Sequence, residues 1–108
     1  MNPGKVGREL TIADGVAASR QATLNALAIL RQELGRLDRV KNFIRLTGYI
    51  ASVEGFVDQP AVLNGASDLL GEIFGEAGRH ARVAIGVCEL PLQAPVELEF
   101  IVQTLPVG

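Results

Sequence analysis

The run Val40–Ala51 constrains this chain most. It carries Val40, Phe43, Ile44, Thr47, Tyr49 and Ile50, β-branched and aromatic side chains that suit a pleated surface. A strand of that length needs partners for its backbone groups, so the chain must build a sheet. Three shorter runs can supply them. Lys5–Leu10 is one, weakened by Gly4 and Gly7. Arg82–Cys88 is the second, with Val83, Ile85 and Val87 on one face. Val96–Thr104 is the third, with Val96, Leu98, Phe100 and Val102 alternating. Simple alternation along the long strand predicts Ile44, Leu46 and Ile50 on a helix-covered face, with Phe43, Arg45, Thr47 and Tyr49 on the other.

Two segments have helical period instead. From Ile12 to Leu34, Val16, Ala17, Leu24, Leu27, Leu30 and Leu34 recur near three- and four-residue spacing. Thr11 is placed to cap that helix, Asp14 puts negative charge in its first turn, and Gly35 is suited to end it. After a loop from Ser52 to Asp58, a second stripe runs through Val62, Leu63, Ala66, Leu69, Leu70, Ile73 and Phe74. Asp58 is the predicted cap, Pro60 is tolerated in the first turn, and Gly75 the predicted stop. The predicted order is β-α-β-α-β-β. That makes a single α+β domain over residues 1–108, a sheet with two helices on one face. The other face would hold Thr47, Tyr49, Ala84, Gly86, Cys88 and Ile101. It has few charges, so it is expected to meet other copies of the chain.

The 108 residues bound the function as well. Hydrophobic residues are 48% and charged residues 20%, which excludes a disordered tail. The net charge of −2 gives no long-range attraction for nucleic acid or an anionic membrane. The longest uncharged run, Gln21 to Leu30, is half of what a membrane span needs. Met1–Leu10 lacks an apolar stretch, so no secretory signal is expected and the default location is cytoplasmic. One cysteine, Cys88, cannot form an internal disulfide. One histidine, His80, cannot build a zinc site with it alone. Neither Gly4 with Gly7 nor Gly75 with Gly78 has the spacing of a phosphate loop.

The second half closely resembles the RidA/YjgF family of the chorismate-mutase-like fold. The carrying residues are Asn64-Gly65-Ala66-Ser67-Asp68-Leu69-Leu70, Phe74, His80-Ala81-Arg82, Leu90-Pro91 and Val96-Glu97-Leu98-Glu99. The family pattern is an Asn-bearing helix, an arginine opening the next strand, a Leu-Pro connector, and a final strand with glutamate one residue after its start. The stretch from Gly75 to Arg82 looks like a less characterised branch. The resemblance implies a mixed sheet, a homotrimer with pockets between subunits, and no metal or organic cofactor. Well-studied relatives hydrolyse reactive enamines and imines to 2-ketoacids and ammonia. Arg82 matches the arginine that holds the substrate carboxylate, Glu97 the acid that places water, and Asn64 a pocket-lining asparagine. Two departures stand out. The chain starts about where the family's third strand should start, as if the opening hairpin were missing. Ala84 occupies the position where the family often has cysteine, a role Cys88 does not inherit.

Each candidate also has a plainer reading. Arg82 could be a strand-end arginine in water or in an ion pair, yet its rigid fork suits a carboxylate. Glu97 could be a solvated strand glutamate. Glu99 shares its face, and only the motif separates the two. Asn64 could brace a loop. His80 could simply bond backbone in a turn rather than act as a base. Cys88 reads as a small packing residue. If Arg82–Cys88 and Val96–Thr104 formed a hairpin with Glu89 opposite Val96, Arg82 and Glu97 would stand about 20 Å apart. A pocket would then combine Arg82 of one subunit with Glu97 of another. The leading expectation is a hydrolytic deaminase of enamine and imine intermediates. The alternatives are a non-enzymatic trimer that binds small carboxylates and a protein-interaction or chaperone-like module. An exposed sheet edge is expected to be covered by a neighbour or by the tail Thr104–Gly108.

Overall fold

A computed structural model describes residues 2–106. Helix α1 spans Ile12–Leu34, strand β1 Val40–Ala51, helix α2 Gln59–Phe74, strand β2 Ala81–Val87 and strand β3 Val96–Thr104. The first helix begins as its sequence directs. Thr11 accepts a hydrogen bond from the Asp14 amide at 3.1 Å, and the Asp14 carboxylate accepts one from the Thr11 amide at 2.9 Å. This reciprocal box satisfies two orphan donors. Gly35 ends the helix with φ +84° and donates its N–H to the Arg31 carbonyl at 2.8 Å. Asp58 precedes α2, but its side chain makes no capping bond.

Lys5–Leu10 is not a strand. Val6 alone bridges the sheet, donating to the Ala51 carbonyl at 2.9 Å and accepting from Val53 at 3.2 Å. Gly7, at φ +93°, then turns the chain back, so pairing stops after one residue. The described order is therefore α-β-α-β-β with a one-residue bridge in front.

The sheet has the order β2-β1-β3. Strand β1 lies in the middle, parallel to β2 and antiparallel to β3. The expected β2–β3 hairpin does not form. The α2 crossover and the Leu90–Pro95 connector place these strands on opposite edges of β1. Both helices cover one face. Within the core, Val6, Ile50, Val62 and Val96 pack at one end, and Leu46, Leu63 and Ala66 in the middle. At the far end Leu27, Val40, Phe43 and Leu70 pack together. There Phe43 meets Phe74 at 5.0 Å and Phe100 at 6.2 Å between ring centroids.

Two register shifts in β1 overturn simple alternation. Along β3, one step is matched by two between Val40 and Asn42, and again between Phe43 and Arg45. Each bulge leaves one extra residue and turns the next side chain over. Val40, Phe43 and Leu46 thus all face the helices, and Ile44 is 47% exposed. Faces are also reversed in β2. Ala84 and Gly86 pair with Gly48 and Ile50 on the helix side, so Val83 and Ile85 lie on the open face. Close packing of α2 requires this. A Cβ on Gly48 would lie 2.5 Å from Leu63, and one on Gly86 2.5 Å from the Gln59 amide.

The α1–α2 crossing is equally close. A Cβ on Gly65 would sit 2.2 Å from the Val16 carbonyl oxygen. Opposite it, α1 buries small residues, Gly15, Ala18, Ser19 and Thr23, before Leu27. Leu24 and Ala17, expected in the stripe, are exposed. Ile73 of α2 is likewise exposed, at 47%. Cys88 is exposed just beyond β2 instead of packed within a strand. No helix among the described residues is long and apolar enough to cross a membrane.

Candidate functional site

Arg82 opens β2 beside Leu46, on the helix face of an edge strand. There its guanidinium reaches α2. Nη1 donates to Asn64 Oδ1 at 2.8 Å and to Ser67 Oγ at 3.2 Å. Asn64 and Ser67 lie three residues apart, on one side of the helix. Both partners are neutral, and no carboxylate pairs with Arg82 among the described residues. The cation is held in place without being neutralised.

Beyond α2 the chain makes a 3-10 turn over Gly75–Gly78. Gly78 is buried, and a Cβ there would lie 2.3 Å from the Leu70 carbonyl oxygen, so only glycine lets the turn sit this close. The Gly78 carbonyl lies 2.6 Å from His80 Nδ1, and His80 Nε2 lies 2.9 Å from Ser67 Oγ. A carbonyl can only accept. In the neutral ring Nδ1 therefore carries the proton, and Nε2 accepts from the Ser67 hydroxyl. Asn64, Ser67, Gly71, Arg79, His80 and Arg82 line an open groove of about 440 Å³. No group of three metal-ligating side chains occurs among the described residues.

Glu97 is elsewhere. It pairs with Tyr49 on the open face, and Glu99 pairs with Thr47 on the same face. Three residues along β1 and two strand spacings separate the Arg82 and Glu97 positions, roughly 14 Å rather than 20 Å. Their side chains leave opposite faces of the sheet. Of the predicted site residues, the fold brings Asn64 and Arg82 together and leaves Glu97 apart. Sequence reasoning assigned Ser67 no role. Its signal was its place three residues after Asn64, one helical turn along the same face. His80 bonds backbone, as its plainer reading has it, and holds Ser67 as well.

This arrangement, a mixed sheet under two helices with an arginine at the head of an edge strand, defines an α+β fold of the chorismate-mutase-like kind. Residues 1–103 match the family described as "YjgF/chorismate_mutase-like, putative endoribonuclease", and the chain belongs to that family. It is 44% identical over 101 residues to Protein TCP17 of Trypanosoma cruzi, covering 93% of this chain and 63% of TCP17. The chain thus spans less than two thirds of that relative. A crystal structure of a protein of unknown function from Agrobacterium tumefaciens superposes with a TM-score of 0.93 at 41% identity, over 95% of this chain and 66% of the other. A "putative endoribonuclease" of Shewanella oneidensis superposes with a TM-score of 0.92 at 41% identity, over 95% and 68%.

Proposed function

We propose that the protein hydrolyses small, carboxylate-bearing enamines and imines to 2-ketoacids and ammonia. The observation that carries this reading is the Arg82 guanidinium, fixed by Asn64 and Ser67, with no carboxylate partner and its remaining N–H groups unbonded among the described residues. A bidentate carboxylate there would hold the substrate by charge-assisted bonds. An enamine first shifts its N–H proton to the β-carbon to become the imine. Water then adds to the C=N carbon, with one of its protons passing to nitrogen. As the new hydroxyl gives its proton to the same nitrogen, the C=O bond forms, the C–N bond breaks and ammonia leaves.

Glu97 is the acid assigned to placing that water. In one protomer it faces away from Arg82, so it would act in a groove of a neighbouring copy. Tyr49 pairs with it in register, and Ile85 lies beyond Tyr49 on the other edge strand.

The test supplies the enamine from serine or threonine with a dehydratase and follows its loss. The wild-type protein should speed the loss, and Arg82→Ala should abolish the acceleration. Equal rates for the two would reject the reading.

The opposed faces of Arg82 and Glu97 favour a second reading, a homotrimer that binds small carboxylates without turnover. Calorimetry with 2-ketobutyrate separates the two, since binding without enamine loss supports the second. The descriptions of the family and of the Shewanella oneidensis protein point instead to RNA cleavage. Arg79, His80 and Arg82 could face a phosphodiester, but the net charge of −2 supplies no field to gather RNA.

A further inference from the structure

We propose that Ser67 and His80 form a nucleophile–base pair, giving the groove a second chemistry, acyl transfer from small activated esters. Serine hydroxyls inside helices usually bond their own backbone four residues back. Thr23 does this here, donating to the Ser19 carbonyl at 2.9 Å. Ser67 instead reaches across to another element, to His80 Nε2 at 2.9 Å. The Gly78 carbonyl fixes the ring from the other side at 2.6 Å. A nucleophile, its base and a group orienting the base are thus in sequence, the arrangement that covalent catalysis needs. Arg82 Nη1 stands 3.2 Å from the same oxygen. A cation there favours the alkoxide, and the other N–H groups of Arg82 are available to a developing oxyanion.

The steps balance. The Ser67 oxygen bonds to the ester carbonyl carbon as its proton moves to His80 Nε2. The tetrahedral centre collapses, the C–O bond to the alcohol breaks, and the departing alcohol takes the proton from His80. Water then attacks the acyl-serine and gives a proton to His80. The Ser67 oxygen leaves with that proton, releasing a carboxylic acid. The net reaction is ester and water to acid and alcohol. This proposal shares Arg82 with the enamine reading but does not need enamine turnover.

The probe is a fluorophosphonate, with intact-protein mass and peptide mapping as the readout. Wild-type protein should take one adduct, mapped to Ser67. Ser67→Ala should take none. His80→Gln should label roughly a hundredfold more slowly, the scale of a lost general base. Cys88→Ala should label like wild type. Circular dichroism of each variant confirms that it is folded. An unlabelled wild type, an adduct on another residue, or equal labelling of His80→Gln would each overturn the proposal, whatever the enamine assay gives.

Discussion

Arg82 is held by two neutral oxygens, Asn64 Oδ1 and Ser67 Oγ. A carboxylate in their place would have cancelled the charge. With amide and hydroxyl partners the side chain keeps its direction and its full attraction for an anion. Arg82→Lys separates charge from shape. The ammonium keeps the charge but loses the planar fork, so 2-ketobutyrate should bind about tenfold more weakly by calorimetry, the scale of one charge-assisted hydrogen bond. Equal affinity would mean that the site reads charge alone. The place of Arg82 at the start of β2 was legible in the sequence because strand and motif are local. The contact of Ser67 with His80 was not, since His80 lies thirteen residues on and is brought back by a turn.

The helices pack through missing side chains. Gly65 of α2 lies against the Val16 carbonyl of α1, and neither backbone can yield without opening the crossing. Gly65→Ala should destabilise the protein by about 1–3 kcal/mol, as overpacking does. Six residues on, Gly71 is exposed, with nothing within 4 Å of an added Cβ. Gly71→Ala should stabilise by about 0.5–1 kcal/mol, because alanine loses less freedom in a helix. Urea unfolding of both variants measures the contrast. Similar shifts of one sign would show that the crossing is not tight. The stripe of α2 was readable almost whole. That of α1 was not, because at its first turns close approach to Gly65 selects small side chains over large apolar ones.

The whole molecule is one layer of helices on one face of a three-stranded sheet, drawn out to 48 × 23 × 19 Å. On the uncovered face Val83 is 36%, Ile85 40% and Ile101 47% exposed. That face is more apolar than alternation predicted, because β2 turned its small residues inward. Burial of this face against other copies is the expected assembly. Ile85→Lys should leave the protomer folded and shift sedimentation velocity to the monomer. An unchanged sedimentation coefficient would place the interface elsewhere. The tail does not extend an outer edge as far as it is described. Leu105 donates to the Arg39 carbonyl at 2.8 Å, and Arg39 Nη2 donates to Leu105 at 3.1 Å. Residues 107–108 lie outside the described part.

What the sequence determined by itself is local. The capping box at Thr11, the left-handed stop at Gly35, the long strand, the strict alternation of β3 and the motif around Arg82 depend on neighbours a few residues away. What the tertiary structure decided depends on pairing between distant segments. The bulges turned Phe43 inward and Ile44 outward. Parallel pairing with β1 reversed the faces of β2. Central placement of β1 put Arg82 and Glu97 on opposite edges, and their registers beside Leu46 and Tyr49 put them on opposite faces. A side-chain direction in a sheet changes with a register shift of one residue. Register is set by the best packing of the whole layer, a quantity that no local run of residues carries.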